Sequence, residues 1–133
     1  MAALTADRNT PHKDGDLLPV LVAGATKIYA GAIVVANAGY AEPGSTALNL
    51  VYLGRADESV DNSAGADGAK TVTVRRNKAF KWANSGADAI TQAEVGKTCY
   101  IVDDQTVAKT DGGGTRSAAG KVVGLDADGV WVE

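Results

Sequence analysis

Three stretches of the chain repeat one pattern: a run of β-branched residues, a turn of small or acidic residues, and a second short apolar run. They are residues 33–41, 100–108 and 122–132. Val and Ile fit the pleated surface of a strand, while Asn, Asp and Gly tolerate the positive φ of tight turns. Each stretch therefore predicts a β-hairpin, and none of them carries a recognisable catalytic group.

The segments between these hairpins also have strand character. Further strands are predicted over residues 17–23, 26–29, 48–56, 70–76 and 79–82. Pro19 places the first of them at a sheet edge or at the start of a strand. In residues 70–76, Val72 and Val74 alternate with polar residues and are expected on one face, and residues 79–82 continue this strand or pair with it after a turn at Asn77.

Residues 87–95 are the only helix candidate, and Thr91 and Glu94 match the spacing of a capping box. About two turns long, such a helix would be peripheral. Many short strands with Gly-rich turns are typical of an all-β barrel or sandwich. We therefore expect an all-β fold, a small β-barrel or sandwich of short hairpins with at most one short peripheral helix.

Two loops stand out by composition. Residues 57–69 are acidic and rich in small residues, so this long loop is expected to form no core and to be either a contact element or mobile. Residues 111–115 contain three consecutive glycines, but no Lys-Ser/Thr follows at the spacing of a phosphate-binding loop. We interpret this second loop as a flexible connection.

Residues 1–16 differ from the rest of the chain, because they are polar, are broken by Pro11 and Gly15, and have no periodicity. They are either a frayed terminus or an extended N-terminal arm that becomes ordered against a neighbouring subunit. The remainder, residues 17–133, is predicted to form a single β-rich domain.

Composition suggests a thin core. The 133 residues include one Phe and one Met, and much of the 45% hydrophobic fraction is Ala, which buries little area per residue. Oligomerisation is one way for such a domain to bury more surface. The single cysteine, Cys99, lies in an apolar run and is expected to be a buried thiol.

Charge and hydropathy exclude some roles. A net charge of −3 makes a general nucleic-acid coat protein improbable. The N-terminus lacks the pattern of a secretion signal, and no apolar run approaches membrane-spanning length. We expect a soluble protein that is made in a cytoplasm and has no membrane partner.

The sequence offers no set of residues for catalysis. His12 is the only histidine and lies in the polar arm without a neighbouring His or Cys. The carboxylate pairs at 103–104 and 126–128 lack the spaced ligands of an EF-hand and are interpreted as turn residues. We expect neither enzymatic activity nor a metal or cofactor.

One basic segment has several interpretations. It contains Arg75, Arg76, Lys78 and Lys81, interleaved with Phe80 and Trp82. It could bind single-stranded nucleic acid, form a solvated strand face with an aromatic core anchor, or dock an acidic protein. In the last case, the acidic residues Asp57, Glu58 and Asp61 of an adjacent copy would be complementary to it.

Several segments resemble a family of small phage and prophage head proteins. They are residues 23–32, 53–56, 60–63, 72–76, 83–85 and 95–104. The resemblance covers most of the chain from about residue 14 onward and rests on structural signatures without a catalytic fingerprint.

The resemblance implies a capsid decoration (cement) protein. Such a protein is made in the bacterial cytoplasm and binds the outer surface of an icosahedral head, commonly as a homotrimer that clamps neighbouring major capsid proteins. The candidate contact residues are Arg75, Arg76, Lys78, Trp82, Asp57, Glu58, Asp61 and His12. The alternative is a nucleic-acid-binding phage accessory protein that uses the basic strand from Arg75 to Trp82.

Overall fold

The computed structural model describes residues 2–133 and confirms an all-β protein. Its regular elements are twelve strands and one turn of 3₁₀ helix. The strands are β1 (Leu17–Leu21), β2 (Thr26–Ile28), β3 (Ile33–Asn37), β4 (Tyr40–Pro43), β5 (Leu50–Ala56), β6 (Val60–Asn62), β7 (Thr71–Arg75), β8 (Phe80–Asn84), β9 (Thr98–Ile101), β10 (Thr106–Ala108), β11 (Ala118–Asp126) and β12 (Gly129–Val132).

The first half of the chain forms a five-stranded sheet in the order β1-β7-β5-β3-β4. The sheet curls until Val22, just after β1, bridges to Ala41 of β4, and the β2-β6 pair forms a separate ribbon. Val72 and Val74 are fully buried within this curl, as their alternation predicts, together with Val34 of β3. Pro19 lies on the edge strand β1, as expected from its missing N–H.

The second half forms a closed barrel in the order β10-β8-β12-β11-β9. Two of the predicted hairpins, β9-β10 and β11-β12, are antiparallel pairs of this barrel, and the remaining one, β3-β4, belongs to the sheet. In that hairpin Ala38 and Gly39 have φ angles of 49° and 91°. Positive φ at both turn residues matches the right-handed twist of the strands, so the turn sets their register.

The core consists of two apolar clusters, one inside the curl of the sheet and one inside the barrel, and strands of the sheet contribute to the second. Ile33 and Val35 of β3 pack into the barrel cluster, and Leu50 and Tyr52 of β5 lie against it. Among the described residues, the largest fully buried side chains are three Ile and nine Val, so the core depends on β-branched residues rather than on Ala. Each such side chain contributes roughly 1.5–3 kcal/mol when fully buried.

Cys99 belongs to the same cluster and confirms the prediction of a buried thiol. Its side chain is 1% exposed and its Sγ lies 3.4 Å from the carbonyl oxygen of Gly120. Burial raises the pKa of the thiol, because the thiolate would be desolvated. Cys99 therefore packs as a small apolar residue.

The helix predicted over residues 87–95 is not formed, and only Gln92–Glu94 make a 3₁₀ turn. The capping box is present, with the Thr91 amide donating to Glu94 Oε1 at 2.7 Å. Asn84 explains why the turn does not extend back toward residue 87. Its side chain accepts from the Ile90 amide at 2.8 Å and donates to the Ile90 carbonyl at 2.9 Å, which takes up both groups that a helix would use.

The strand expected at residues 79–82 exists as β8, but its expected pairing is wrong. The turn at Asn77, with φ 61°, sends the chain away from β7 and into the barrel. There β8 pairs in parallel with β10 and antiparallel with β12. This junction is where the sheet ends and the barrel begins.

The loop at residues 57–69 is more ordered than its composition predicts, because it contains β6 and the buried residue Asn62. The Asn62 amide nitrogen lies 2.9 Å from the Ala23 carbonyl and 3.0 Å from that of Ala66, with Val22 a longer third acceptor at 3.3 Å. One buried amide thereby joins the end of β1 to the acidic loop.

The glycine-rich loop is hydrogen-bonded, in contrast to the expected flexible connection. The amides of Thr115 and Arg116 both donate to the Asp111 carbonyl at 2.9 Å. The three glycines between Asp111 and Thr115 have φ angles of 66°, 74° and 86°, a conformation that favours glycine over other residues. The Arg116 guanidinium then pairs with Asp88 at 2.9 Å.

The N-terminal arm has no strand, and residues 2–14 are exposed. Its root is fixed, because Asn77 Nδ2 donates to the carbonyl of Gly15 at 3.4 Å and to Asp16 Oδ1 at 3.2 Å. Strand β1 starts immediately afterwards at Leu17.

Candidate contact surfaces

Arg75 ends β7 and is paired within its own chain. Its Nε lies 3.1 Å from Asp57 Oδ1, and Arg55 on the neighbouring strand approaches the same oxygen at 3.0 Å. Arg75, and then Arg55, hold the pKa of the Asp57 carboxyl below its usual range through these hydrogen bonds. Each charge of this pair therefore already has a partner within the chain, and contact of Asp57 with the basic segment of an adjacent copy stays a prediction.

The other two acidic residues also have partners in the same chain. Glu58 Oε1 accepts from the Thr73 amide at 3.4 Å. Asp61 accepts from the hydroxyl and the amide of Ser63, and these hydrogen bonds lower the pKa of its carboxyl. Both side chains shape the loop that begins at residue 57 and remain exposed to solvent at its surface.

Trp82 is a core residue, so its assignment to a contact surface is wrong. Its side chain is 5% exposed, and its ring lies 5.9 Å from that of Phe80. Its Nε1 donates to the Tyr52 hydroxyl at 3.1 Å. Burial raises the pKa of Tyr52 to about 12. Because both aromatic rings of the basic segment are buried, neither offers a face on which a nucleic-acid base could stack.

Arg76 and Lys78 are the members of the basic segment that face an open cleft. The cleft, about 440 Å³ in volume, lies between the N-terminal half of β5 and the start of the barrel. Its walls include Val51, Leu53 and Phe80. Within the described residues Arg76 has no ion pair, and Lys78 has a long one, 3.7 Å, to Asp16.

Lys81 and His12 lie away from this cleft. Lys81 projects beside the β11-β12 turn, with its Nζ 3.1 Å from Asp128 and 3.8 Å from Asp126. This pairing explains the carboxylate pair as part of a turn cluster. His12 sits in the exposed arm between Pro11 and Lys13, so the structure does not bring it to the other candidate residues.

Two strand edges of the sheet lack a complete partner. Pro19 of β1 lies opposite Thr73 of β7. The amide and the carbonyl of Thr73 bond to Glu58 and Asp57, on the side away from β1. In an antiparallel pair, the backbone groups of Pro19 then also point away from β7, toward the free edge of the sheet. Proline has no amide to donate, which blocks addition of another strand there. On β5, strand β7 pairs only with Arg55 and Ala56, which leaves residues 51–53 without a strand on that side.

Sequence reasoning missed the exposed apolar side chains beside these edges. Leu17 and Leu21 of β1 are 42% and 50% exposed, Val51 of β5 is 59% exposed, and Leu4 in the arm is 72% exposed. The alternation of side chains along β1 indicates this exposure. Val20 lies opposite the buried Val72, so the residues on either side of Val20 must face outward. No signal in the sequence showed which strand would lose its partner.

Within residues 2–133, no group of three or more His, Cys, Asp or Glu side chains is placed to hold a metal ion. The described chain also has no helix with the length and hydropathy needed to span a membrane. No family model matches the sequence, and comparison with curated proteins and with solved structures gives no match.

Proposed function

We propose that the protein is a structural virion protein that decorates an icosahedral phage capsid and stabilises it by bridging major capsid protein subunits. The proposal places it on the outer surface of the head and assigns it no enzymatic step. Its partners are then the major capsid protein and further copies of itself, as a homotrimer.

The observation that carries this proposal is the contrast between a closed body and a free arm. Most charged candidates in the body, such as Asp57, Arg75 and Lys81, are already paired within the chain. Residues 2–14, in contrast, are exposed and are attached to a hydrogen-bonded root. A rigid body with an unpartnered arm fits a protein that is held by its neighbours, and the resemblance of the sequence to phage head proteins supports the same role.

Binding to heads tests the proposal. Heads assembled from the major capsid protein of the phage that encodes this chain are mixed with the purified protein and sedimented. We expect the protein to pellet with the heads at a saturating, stoichiometric ratio and to raise the temperature at which the heads break. A variant without residues 2–14 should bind at least about tenfold more weakly, a loss of ~1.4 kcal/mol.

One result would contradict capsid decoration, and another would contradict the role of the arm in it. Absence of the full-length chain from the pellet at saturating concentration rejects capsid decoration. Unchanged binding of the truncated variant rejects the role of the arm, while the role of the body is retained.

Nucleic-acid binding is the competing function, and the burial of Trp82 weakens it. Arg76 and Lys78 remain as phosphate contacts, and two contacts give a logarithmic salt slope of only about −1.4 on single-stranded DNA. A gel shift across a salt titration measures this slope. Tight binding with a much steeper slope would favour the accessory-protein function over capsid decoration.

A further inference from the structure

Residues 51–53 of β5 have an edge that is open to one more strand. Leu50 lies opposite Asn37 of β3, yet its amide turns away from β3 and donates to Ser117 Oγ at 3.0 Å. Alternation along an antiparallel strand points the amide and carbonyl of Tyr52 to the same side. That side opens into the cleft walled by Val51, Leu53 and Phe80, and it has no proline to block pairing, unlike the β1 edge.

The N-terminal arm has the matching chemistry. Residues 2–6 are Ala-Ala-Leu-Thr-Ala, and Leu4, at 72% exposure, is the most exposed large apolar residue of the described chain. A strand of this segment would place Leu4 against the apolar wall of the cleft and pair its backbone with β5. Asp7 follows directly and would come near Arg76 and Lys78, which line the same cleft together with Glu133.

The arm that fits this cleft is that of a second copy. The chain's own arm leaves the body beside Asn77, so residues 11–14 would be the first to meet the cleft, and Pro11 has no amide to pair. Leu4 lies seven residues further out, about 23 Å along an extended chain. The chain would have to reverse on itself to bring Leu4 back, whereas an arm from a neighbour enters directly.

We infer that copies of this chain associate by arm exchange, with residues 2–7 of one copy adding a strand to β5 of the next. The contact is between copies of the chain alone and holds whether or not the protein binds a capsid. Its failure and the failure of the capsid proposal are therefore separable, because the test contains no heads.

Light scattering across a dilution series measures the association. We expect the full-length chain to form a species of several copies. Leu4→Asp should raise the dissociation constant of this species about ten- to a hundredfold, because one leucine side chain is no longer buried in the contact. Val51→Lys should act similarly, since it charges the wall of the cleft at an exposed position. Val123→Lys is the matched control, a second exposed valine at 45% exposure on β11, and should leave the mass unchanged.

Disulfide trapping shows whether the arm in the cleft comes from the same chain or from a second copy. Leu4→Cys chains are mixed with Val51→Cys chains under mild oxidation, with Asn9→Cys in place of Leu4→Cys as the control, and the buried Cys99 is retained. We expect a mixed disulfide between the first two chains and none with the control. A third sample is the chain that carries both Leu4→Cys and Val51→Cys. If a disulfide forms within this chain but not between the two mixed variants, exchange between copies is overturned. The absence of any bond, or a full-length chain that is monomeric at every concentration, overturns the strand addition itself.

Discussion

Asp57 holds two arginines at once, and this makes it the most connected charged residue on the surface of the sheet. Its Oδ1 lies 3.1 Å from Arg75 and 3.0 Å from Arg55, on strands β7 and β5. The cluster therefore links β5 and β7. These two strands pair only at their ends, where Arg55 lies opposite Arg75 and Ala56 opposite Val74. Exposure of all three side chains limits the stabilisation, because solvent screens the charges.

Replacing Asp57 gives a prediction about pH. The pKa of the carboxyl is lowered in the folded chain from the ordinary 3.8, so its stabilisation is complete above about pH 4 and is lost as the pH falls below that value. Asp57→Asn should lower the free energy of unfolding at pH 7. Urea titrations of both chains at pH 7 and pH 3 measure the difference, which should shrink at pH 3. An equal difference at both values would contradict the ion pair as its source.

Trp82 gives a second prediction for a single residue. Trp82→Ala should lower the free energy of unfolding by about 3–5 kcal/mol, because it leaves a cavity and removes the donor to the Tyr52 hydroxyl. Trp131→Ala is the control, since Trp131 is only partly buried and bonds Asp126 at the surface. Urea unfolding followed by circular dichroism measures both. Equal losses would show that Trp82 is not an anchor of the core.

At the scale of elements, Gly54 lies at the point where β5 loses its partner β7. The register of β3 against β5 shifts at this point, and Gly54 has a φ of 147°. A Cβ there would lie 2.3 Å from the carbonyl oxygen of Arg75, so only glycine lets β7 approach β5. Strand β7 ends at Arg75, and the turn at Asn77 then carries the chain away and leaves the cleft beside residues 51–53.

Gly54→Ala should therefore destabilise the sheet. The conformational strain alone is about 1–3 kcal/mol, and the clash with Arg75 adds to it. Gly86→Ala is the matched control, because it lies in open space without a positive φ. Thermal unfolding of both variants measures the effect, and a Gly54→Ala chain as stable as the control would contradict the close approach.

Local patterns predicted the elements whose pairing is local. The three hairpins each join neighbouring strands through a short turn, so residue preference at the turn was sufficient to place them. Residues 57–69 and 87–95 depend instead on distant contacts. Asn62 bonds carbonyls near residue 22, and Asn84 takes the backbone of Ile90 out of a helix. Such contacts between separated segments leave no periodicity in the sequence.

The same distinction applies to the candidate contact residues. Arg76 and Lys78 were candidates because of their charge, and both are exposed and line an open cleft. Trp82 was misassigned because its partner, Tyr52, lies 30 residues away in sequence on another strand. The exposed edge of β5 could not be predicted before the strand order was known.

At the scale of the whole molecule, the sheet and the barrel act as one body with a free arm. Side chains from β3 and β5 complete the barrel's core, so the two halves are joined by apolar packing as well as by the chain. Removing the arm should therefore leave the stability of a single, unassociated copy unchanged, because the arm does not dock on its own body. Calorimetry of a chain without residues 2–14 measures this, and a lower melting temperature at equal copy number would contradict an undocked arm.

The central claim is that this body decorates the outside of a phage head. The most direct measurement is a cryo-electron microscopy difference map between heads with and without the protein. Capsid decoration predicts added density for a two-part β body on the outer surface, seated across boundaries between capsid subunits. No added density at saturating protein, or density only inside the shell, would contradict the claim.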